Sequence, residues 1–270
     1  MRRLLLCLPV CLMFISGLSS REPPSVSTFR DVADNGAPLP NEEAMEQLAK
    51  TDPIAFMETC IRRYDREVKG FTATLRKQER IDGQLERSEL IDVAFREDPF
   101  SVLMRWKSGA RRASGVLYVK GQNNDQLLVR PAGVLAIAGI VARDPNGSDA
   151  KKGGRYSLTE FGIKIGMQRT LTSWEKARKD KALHLEYLGV KRIKEAGDRP
   201  CWVLRRSRYK NKEEEGISEL TVYIDKATWL QVGSIIKGEE GRLIGEYFFR
   251  DIKLNPDFEQ GTFTRDALKR

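Results

Sequence analysis

The sequence predicts an α+β domain built on one curved antiparallel sheet. About ten segments alternate apolar and polar residues, the period of a half-buried strand, and turn signals separate them at hairpin spacing. Two blocks with the longer period of helices interrupt this pattern. The chain has 270 residues, and no Gly/Ser-rich linker divides it, so residues 41–270 are expected to form a single domain. A sheet this large tends to curl, and the helices are expected to cover its concave face.

The first 19 residues have the layout of a secretory signal peptide. Two arginines precede an apolar run over residues 4–15, and small residues follow it up to Ser19, which predicts cleavage after Ser19. The run is shorter than the ~20 apolar residues of a membrane-spanning helix, and an uncleaved anchor is the alternative. Residues 20–40 are rich in proline and are expected to form a mobile leader. The chain is therefore predicted to be exported to the periplasm or cell envelope.

The charge of the chain favours acidic partners without specifying one. The whole sequence has 47 basic and 38 acidic residues. Removal of residues 1–19, which hold two arginines and no acid, leaves 45 basic against 38 acidic residues, a net charge of +7. Such a charge suits a membrane surface with anionic lipids, but it is also typical of a protein kept soluble by its surface. No nucleic acid partner is expected, because aromatic residues are not stepped among the cations as base-stacking sites require.

The cysteine and histidine content limits the chemistry that the chain can perform. Cys60 and Cys201 remain after removal of the signal. They are a candidate disulfide in an oxidising compartment, although a domain of this size does not need one, and both alternatives stay open. The only histidine is His184, so a zinc site cannot be built, and neither a metal nor a cofactor is predicted. His184 alternates with two leucines in a strand, which places its side chain on the polar face.

Helix start signals occur at three places. Asn41 is a good cap for the first helix. Asp52 caps the second, a proline follows at its first position, and Gly70 ends it. Ser157 and Glu160 form a capping box for the third.

An uninterrupted apolar stretch, residues 133–141, lies between the strands of the first half and the third helix. It is apolar on all sides, which predicts that it is buried or lines something apolar. A loop rich in Asp, Asn, Gly and Lys follows it.

No sequence motif predicts catalysis. The nucleophile-elbow, P-loop and zinc-protease patterns are missing from the sequence. Carboxylates are plentiful, but none forms a pair whose setting predicts a shifted pKa, and a carboxylate-based hydrolase therefore ranks lowest. We expect that the protein is not an enzyme.

The last third of the chain resembles a known family of carriers. Residues 223–230 and 247–255, followed by Phe263, are similar to the closing strands of the LolA/LolB-like lipoprotein carriers. The resemblance implies an open half-barrel whose helices cover the concave face and whose apolar cavity takes acyl chains. The segment 134–154 has no clear counterpart in those carriers, so acyl transfer between partners is not implied.

Three further segments more specifically resemble an exported bacterial family known as a domain of unknown function. These are residues 96–102, residues 117–119 and residues 156–162.

The sequence thus supports two hypotheses from different classes. The first is a non-enzymatic envelope protein that binds a lipid, an acyl chain or a lipidated partner in a half-barrel cavity. Its candidate lining residues, each of which could instead belong to the ordinary core, are Val102, Met104, Trp106, Trp202, Leu204, Leu220 and Val222. The alternative is an envelope scaffold domain with a closed core and no small-molecule ligand, whose basic Arg205–Arg206 pair meets a protein partner.

Overall fold

The computed structural model describes residues 29–148, 153–209 and 216–269. The predicted signal peptide lies outside the described residues. In these described ranges the three long α-helices are α1 (Glu42–Thr51), α2 (Pro53–Glu67) and α3 (Ile163–Lys179). Both predicted N-caps of the first two helices are confirmed: the side chains of Asn41 and Asp52 accept hydrogen bonds from backbone N–H groups of the first turns. The helices found in the described ranges are too short or too polar to cross a membrane.

Twelve strands form one antiparallel sheet, two more than the sequence pattern predicts. They are β1 (Gly70–Ile81), β2 (Gln84–Leu85), β3 (Glu89–Arg96), β4 (Ser101–Ser108), β5 (Ala113–Val119), β6 (Leu127–Pro131), β7 (Val141–Arg143), β8 (His184–Ile193), β9 (Arg199–Ser207), β10 (Glu219–Asp225), β11 (Gln231–Lys237) and β12 (Leu243–Leu254). The order across the sheet is β7-β6-β5-β4-β3-β1-β12-β11-β10-β9-β8, and β2 pairs only with β1. The two end strands do not meet, so the barrel is open, as predicted.

The chain builds this sheet as two meanders joined at the centre. The first runs outward from β1 to β7, and the second begins at the opposite edge with β8 and returns to pair β12 with β1. Between them, α3 crosses the sheet and packs against α2. The buried apolar faces of all three helices lie against the inner face of the strands, as in the T-shaped contact of Phe56 with Trp202. Helices therefore cover the concave face, as predicted.

The C-terminal segment stabilises the outer face of the first meander. Phe263 and Leu268 form a second apolar cluster with Leu103 and Leu117, whose side chains point away from the helices. Period-two alternation explains this, since neighbours of the inward Met104 and Val116 must point outward.

The third helix begins later than the sequence predicts. Ser157 accepts a hydrogen bond from the Thr159 N–H, but it caps only a single 3₁₀ turn, Leu158–Glu160. Gly162 then adopts a φ of 141°, which side chains disfavour, and a Cβ there would lie 3.3 Å from the Phe95 ring. The chain breaks at this glycine, and α3 starts one residue later.

The apolar stretch after β6 is not buried. Gly133–Ala138 forms a 3₁₀ turn in which Val134 is 91% and Ile137 is 96% exposed. Its lack of polar residues predicted burial or the lining of an apolar space, but the turn projects beyond the sheet and has its main contacts with β6. Leu135 alone of these three lines an apolar space, the cavity described below.

The described part of the predicted leader, residues 29–40, has no helix or strand but lies along the helices. Arg66 of α2 binds Asp34 with two hydrogen bonds of 2.7 and 3.0 Å. Val32 and Leu39 pack against the main core. Whether this segment moves in solution stays a prediction.

Candidate functional site

A cavity of about 480 Å³ opens between the inner face of the sheet and the start of α3. This is within the ~300–1,000 Å³ typical of small-molecule sites. Strands from both meanders contribute to its wall. The apolar side chains of the wall include Leu75, Met104, Trp106, Val116, Leu127, Val129, Leu135, Leu158, Phe161, Leu220, Ile236 and Phe249.

The seven candidate residues divide between this cavity and the core. Met104, Trp106 and Leu220 line the cavity. Val102, Trp202, Leu204 and Val222 do not; they are fully buried in the main core.

The division has a simple geometric cause. Residues two apart on a strand share a face, so Val102 and Met104 both point inward from β4, and Val222 and Leu220 both point inward from β10. The helices pack over one end of this face, where Val102 and Val222 lie. The other end is left uncovered by α1 and α2, and Met104 and Leu220 face the open space there.

A buried group of charges forms part of the cavity wall. Lys77 on β1 places its Nζ 3.0 Å from Glu79 Oε2 and 3.1 Å from Glu89 Oε2. The side chains of Lys77 and Glu79 are only 13% and 3% exposed. The β1–β3 register sets Lys77 directly opposite Glu89, so the ion pair follows from strand pairing.

Neighbouring strands supply further hydrogen bonds to the two carboxylates. Tyr247 donates from its hydroxyl to Glu79 Oε1 at 2.8 Å, and Trp106 donates from its indole N–H to Glu89 Oε1 at 3.0 Å. Trp106 thus lines the cavity, and its indole N–H is satisfied by a carboxylate of the same wall.

These contacts fix the charges of the cluster. Burial alone would raise the pKa of Glu79, but the Lys77 ammonium and the Tyr247 hydroxyl hold that pKa below its ordinary value. Burial would lower the pKa of Lys77, but the two carboxylates raise it. Burial and the nearby Glu79 charge raise the pKa of Tyr247 well above its usual range. Glu79 therefore stays ionised near neutral pH, and a carboxylate in that state does not serve as a general acid.

Sequence reasoning missed this cluster although a signal was present. The alternation of Phe71, Ala73 and Leu75 continues through Lys77 and Glu79 on the same face of β1. A search for apolar residues alone ends this pattern at Leu75, where the inward residues become charged. When the same alternation is continued for four more residues, it places Lys77 and Glu79 on the inner wall of the sheet.

The family model described as "Protein of unknown function (DUF1571)" matches residues 68–268, which includes the whole sheet and α3. The chain belongs to the DUF1571 family. This confirms the resemblance to a domain family of unknown function, and no curated protein matches the chain.

Solved structures of the same general architecture match this DUF1571 protein at low identity. The chain is 15% identical to the Mycobacterium tuberculosis lipoprotein LppX, with a TM-score of 0.42 over 77% of this chain and 99% of that one. It is 16% identical to a chain of the Pseudomonas aeruginosa MucA/MucB complex, with a TM-score of 0.44 over 80% of this chain and 62% of that one.

A third match is a LolA superfamily protein from Nitrosomonas europaea, 10% identical, with a TM-score of 0.33 over 78% of this chain and 98% of that one. At these identities and TM-scores the matches carry no argument about a ligand or partner. The site must be judged from its own residues.

The basic pair at the end of β9 in this DUF1571 protein is not a surface pair. Arg205 is exposed and binds Glu186 at 2.6 Å. Arg206 is 1% exposed, donates to the Ser173 carbonyl and hydroxyl of α3, and stacks 3.6 Å from the Tyr209 ring centroid. Alternation explains the difference, because adjacent strand residues point to opposite faces. A docking surface that requires both arginines is therefore excluded.

Cys60 of α2 and Cys201 of β9 are buried free thiols, so the candidate disulfide is not formed in the structure. Burial raises the pKa of both, that of Cys201 to about 12. Neither is a reactive nucleophile.

Among the described residues, no group of three His, Cys, Asp or Glu side chains is placed to hold a metal ion. His184 is exposed on β8, as its strand position predicts.

Proposed function

We propose that this protein is a non-enzymatic protein of the cell envelope that binds an apolar ligand in the cavity. The ligand is a lipid, an acyl chain or the lipid group of a lipidated partner. The observation that carries the proposal is a cavity of about 480 Å³ on the inner face of an otherwise well-packed sheet. The predicted signal peptide supports the location in the envelope.

The wall of the cavity suits a hydrocarbon chain. Burial of each methylene group contributes ~0.8 kcal/mol, and most wall side chains are aliphatic or aromatic. Met104 and Trp106 are flexible and broad apolar groups, which adapt to chains of different shape.

The buried ion pairs of the wall support the same interpretation because their charges already satisfy one another. Lys77 forms ion pairs with Glu79 and Glu89. Arg169 forms an ion pair with Glu160 at 3.1 Å. A ligand does not have to satisfy these charges. The cavity favours this proposal over the alternative of a scaffold domain with a closed core.

The first experiment is extraction of the purified protein for bound lipid, followed by mass spectrometry. A fluorescent fatty acid should bind to the delipidated protein and be displaced by the extracted molecule. Recovery of no lipid, together with no saturable binding of the probe, contradicts the proposal.

A variant that fills the cavity tests whether the fluorescent fatty acid binds there. Val116 lines the cavity from β5, so Val116→Trp should lower the affinity for the probe about tenfold or more, since the ring occupies space that the ligand needs. Val190→Trp is the matched control, because Val190 is exposed on β8. Equal affinity of both variants would place the probe elsewhere.

A further inference from the structure

We propose that the exposed turn Gly133–Ala138 docks this protein on a membrane surface that contains anionic lipids. The proposal goes beyond ligand binding in the cavity, because it concerns the outer surface of the molecule. It rests on the exposure, the backbone geometry and the neighbouring cations of this turn.

The turn concentrates exposed apolar side chains in one place. Among the described residues five large apolar side chains are exposed, and three of them are in this turn: Val134, Leu135 and Ile137. The other two, Leu85 and Val190, are 42% exposed and lie singly on other strands. Single exposed apolar residues are normal on soluble proteins, whereas a contiguous group indicates an interaction site.

The backbone holds the apolar side chains in a defined arrangement. A 3₁₀ helix has three residues per turn, so residues three apart eclipse one another. Val134 and Ile137 therefore project together from one side of the turn, and they are 91% and 96% exposed. Leu135 turns towards the cavity, whose wall it joins.

Local hydrogen bonds fix the two ends of the turn. Ala132 donates its N–H to the Arg112 carbonyl at 3.0 Å, and Gly139 donates to the Ala136 carbonyl at 3.0 Å. Gly133 and Gly139 both have positive φ, 61° and 68°, which lets the chain enter and leave the turn sharply. The exposed side chains of Val134 and Ile137, the tip of the turn, are thus already in place, and docking requires little ordering of the backbone.

Two cations lie beside the turn. The Arg112 carbonyl accepts the Ala132 N–H at the start of the turn, and Arg112 and Arg143 line the same cavity as Leu135. Arg112 and Arg143 are the exposed cations in the described part of the lining, whereas Lys77 and Arg169 are already paired with carboxylates of the wall. An apolar tip beside basic side chains is the combination that binds the interface of anionic membranes.

The net charge of the chain favours a membrane over a second copy of this chain as the partner of the turn. Without residues 1–19 the chain has 45 basic and 38 acidic residues, a net charge of +7, and two copies that met through this turn would bring the same arginines together. An anionic lipid surface instead provides opposite charges next to an apolar layer.

The test is co-sedimentation with lipid vesicles. The protein is taken after export, without the predicted signal peptide, because residues 1–19 are apolar and would bind lipid themselves. The wild type should bind vesicles of phosphatidylcholine and phosphatidylglycerol, and bind less to phosphatidylcholine alone or at high salt. In Val134→Ser/Ile137→Ser, binding should fall about tenfold or more, since two aliphatic groups no longer enter the interface.

Val190→Ser is the matched control and should bind like the wild type. Equal binding of wild type and the double variant, or no binding of the wild type to anionic vesicles, overturns the proposal. If the wild type does not bind anionic vesicles but associates with itself as its concentration rises, and the double variant does not, the turn is a protein contact instead. The fluorescent fatty acid assay is run without vesicles on the same variants, so failure of membrane docking is distinguished from failure of ligand binding.

Discussion

Lys77 Nζ lies 3.0 Å from Glu79 Oε2 in the wall of a cavity that is otherwise mostly apolar. Both side chains are almost completely shielded from solvent, and Glu89 accepts from the other side of the same ammonium. A buried ion costs several kcal/mol to desolvate, and close partners offset that cost. The cluster therefore stabilises the pairing of β1 with β3 in the wall of the cavity.

Lys77→Met should destabilise the protein by about 3–5 kcal/mol, because two buried carboxylates lose their shared cation. The measurement is the free energy of unfolding from urea denaturation. Lys107→Met is the matched control: Lys107 pairs with Asp92 at 3.2 Å, but its side chain is 53% exposed, so a loss of about 0–1 kcal/mol is expected. Similar losses for both variants would contradict the description of the cluster as buried.

The depressed pKa of Glu79 makes a defined contribution to the pH dependence of stability. A carboxyl whose pKa is lower in the folded state stabilises the fold above its unfolded pKa, about 4.3, and this contribution is lost as pH falls through the folded pKa. Glu79→Gln should therefore flatten the loss of stability below about pH 4.3 relative to the wild type. Urea unfolding at several pH values measures it, and identical acid dependence in both proteins would refute the prediction.

Leu220 and Val222 are a matched pair on one face of β10. Leu220→Asn should weaken binding of the fatty acid probe about tenfold, because an amide in the apolar wall loses its water when the chain enters. Val222→Ala should leave the affinity unchanged and instead cost about 2 kcal/mol of stability, as a cavity forms in packed core. Probe titration and urea unfolding measure both effects. If Val222→Ala weakened binding of the probe and Leu220→Asn did not, the ligand would lie under the helices instead.

Cys60 and Cys201 should react with a thiol reagent such as dithionitrobenzoate only after unfolding. Both thiols are buried, and their raised pKa values leave little thiolate at pH 8. A reducing agent should not change the melting temperature. A lower melting temperature on reduction would indicate that the two residues are bridged in the exported protein.

Helix beginnings illustrate what local sequence can predict. Asn41 and Asp52 cap their helices through side-chain contacts within three residues, so neighbouring residues contain the information. The start of α3 does not depend on neighbours alone. Gly162 breaks the chain beside the Phe95 ring of β3, and Glu160 binds Arg169 rather than closing a capping box at Ser157.

The cavity shows the same distinction on a larger scale. Period two correctly placed Val102, Met104 and Trp106 on one face of β4. It could not indicate where along that face the helices stop covering the strands, because this depends on contacts between distant segments. For the same reason the sequence predicted that residues 133–141 are buried or line an apolar space, whereas Val134 and Ile137 of this stretch are exposed and Leu135 lines the cavity.

The sequence by itself determined the antiparallel α+β fold, its open sheet, the caps of the first two helices and membership of a family of unknown function. The fold class and the caps follow from patterns a few residues long, in which each side chain's direction is set by strand or helix geometry, whereas the open sheet and the family follow from the resemblance of longer segments. Only the tertiary structure decided which inward residues line the cavity, which charges are buried together and which apolar turn stays exposed. Those properties arise where β1, β3 and β12 meet and where helix cover ends, and no single segment encodes them.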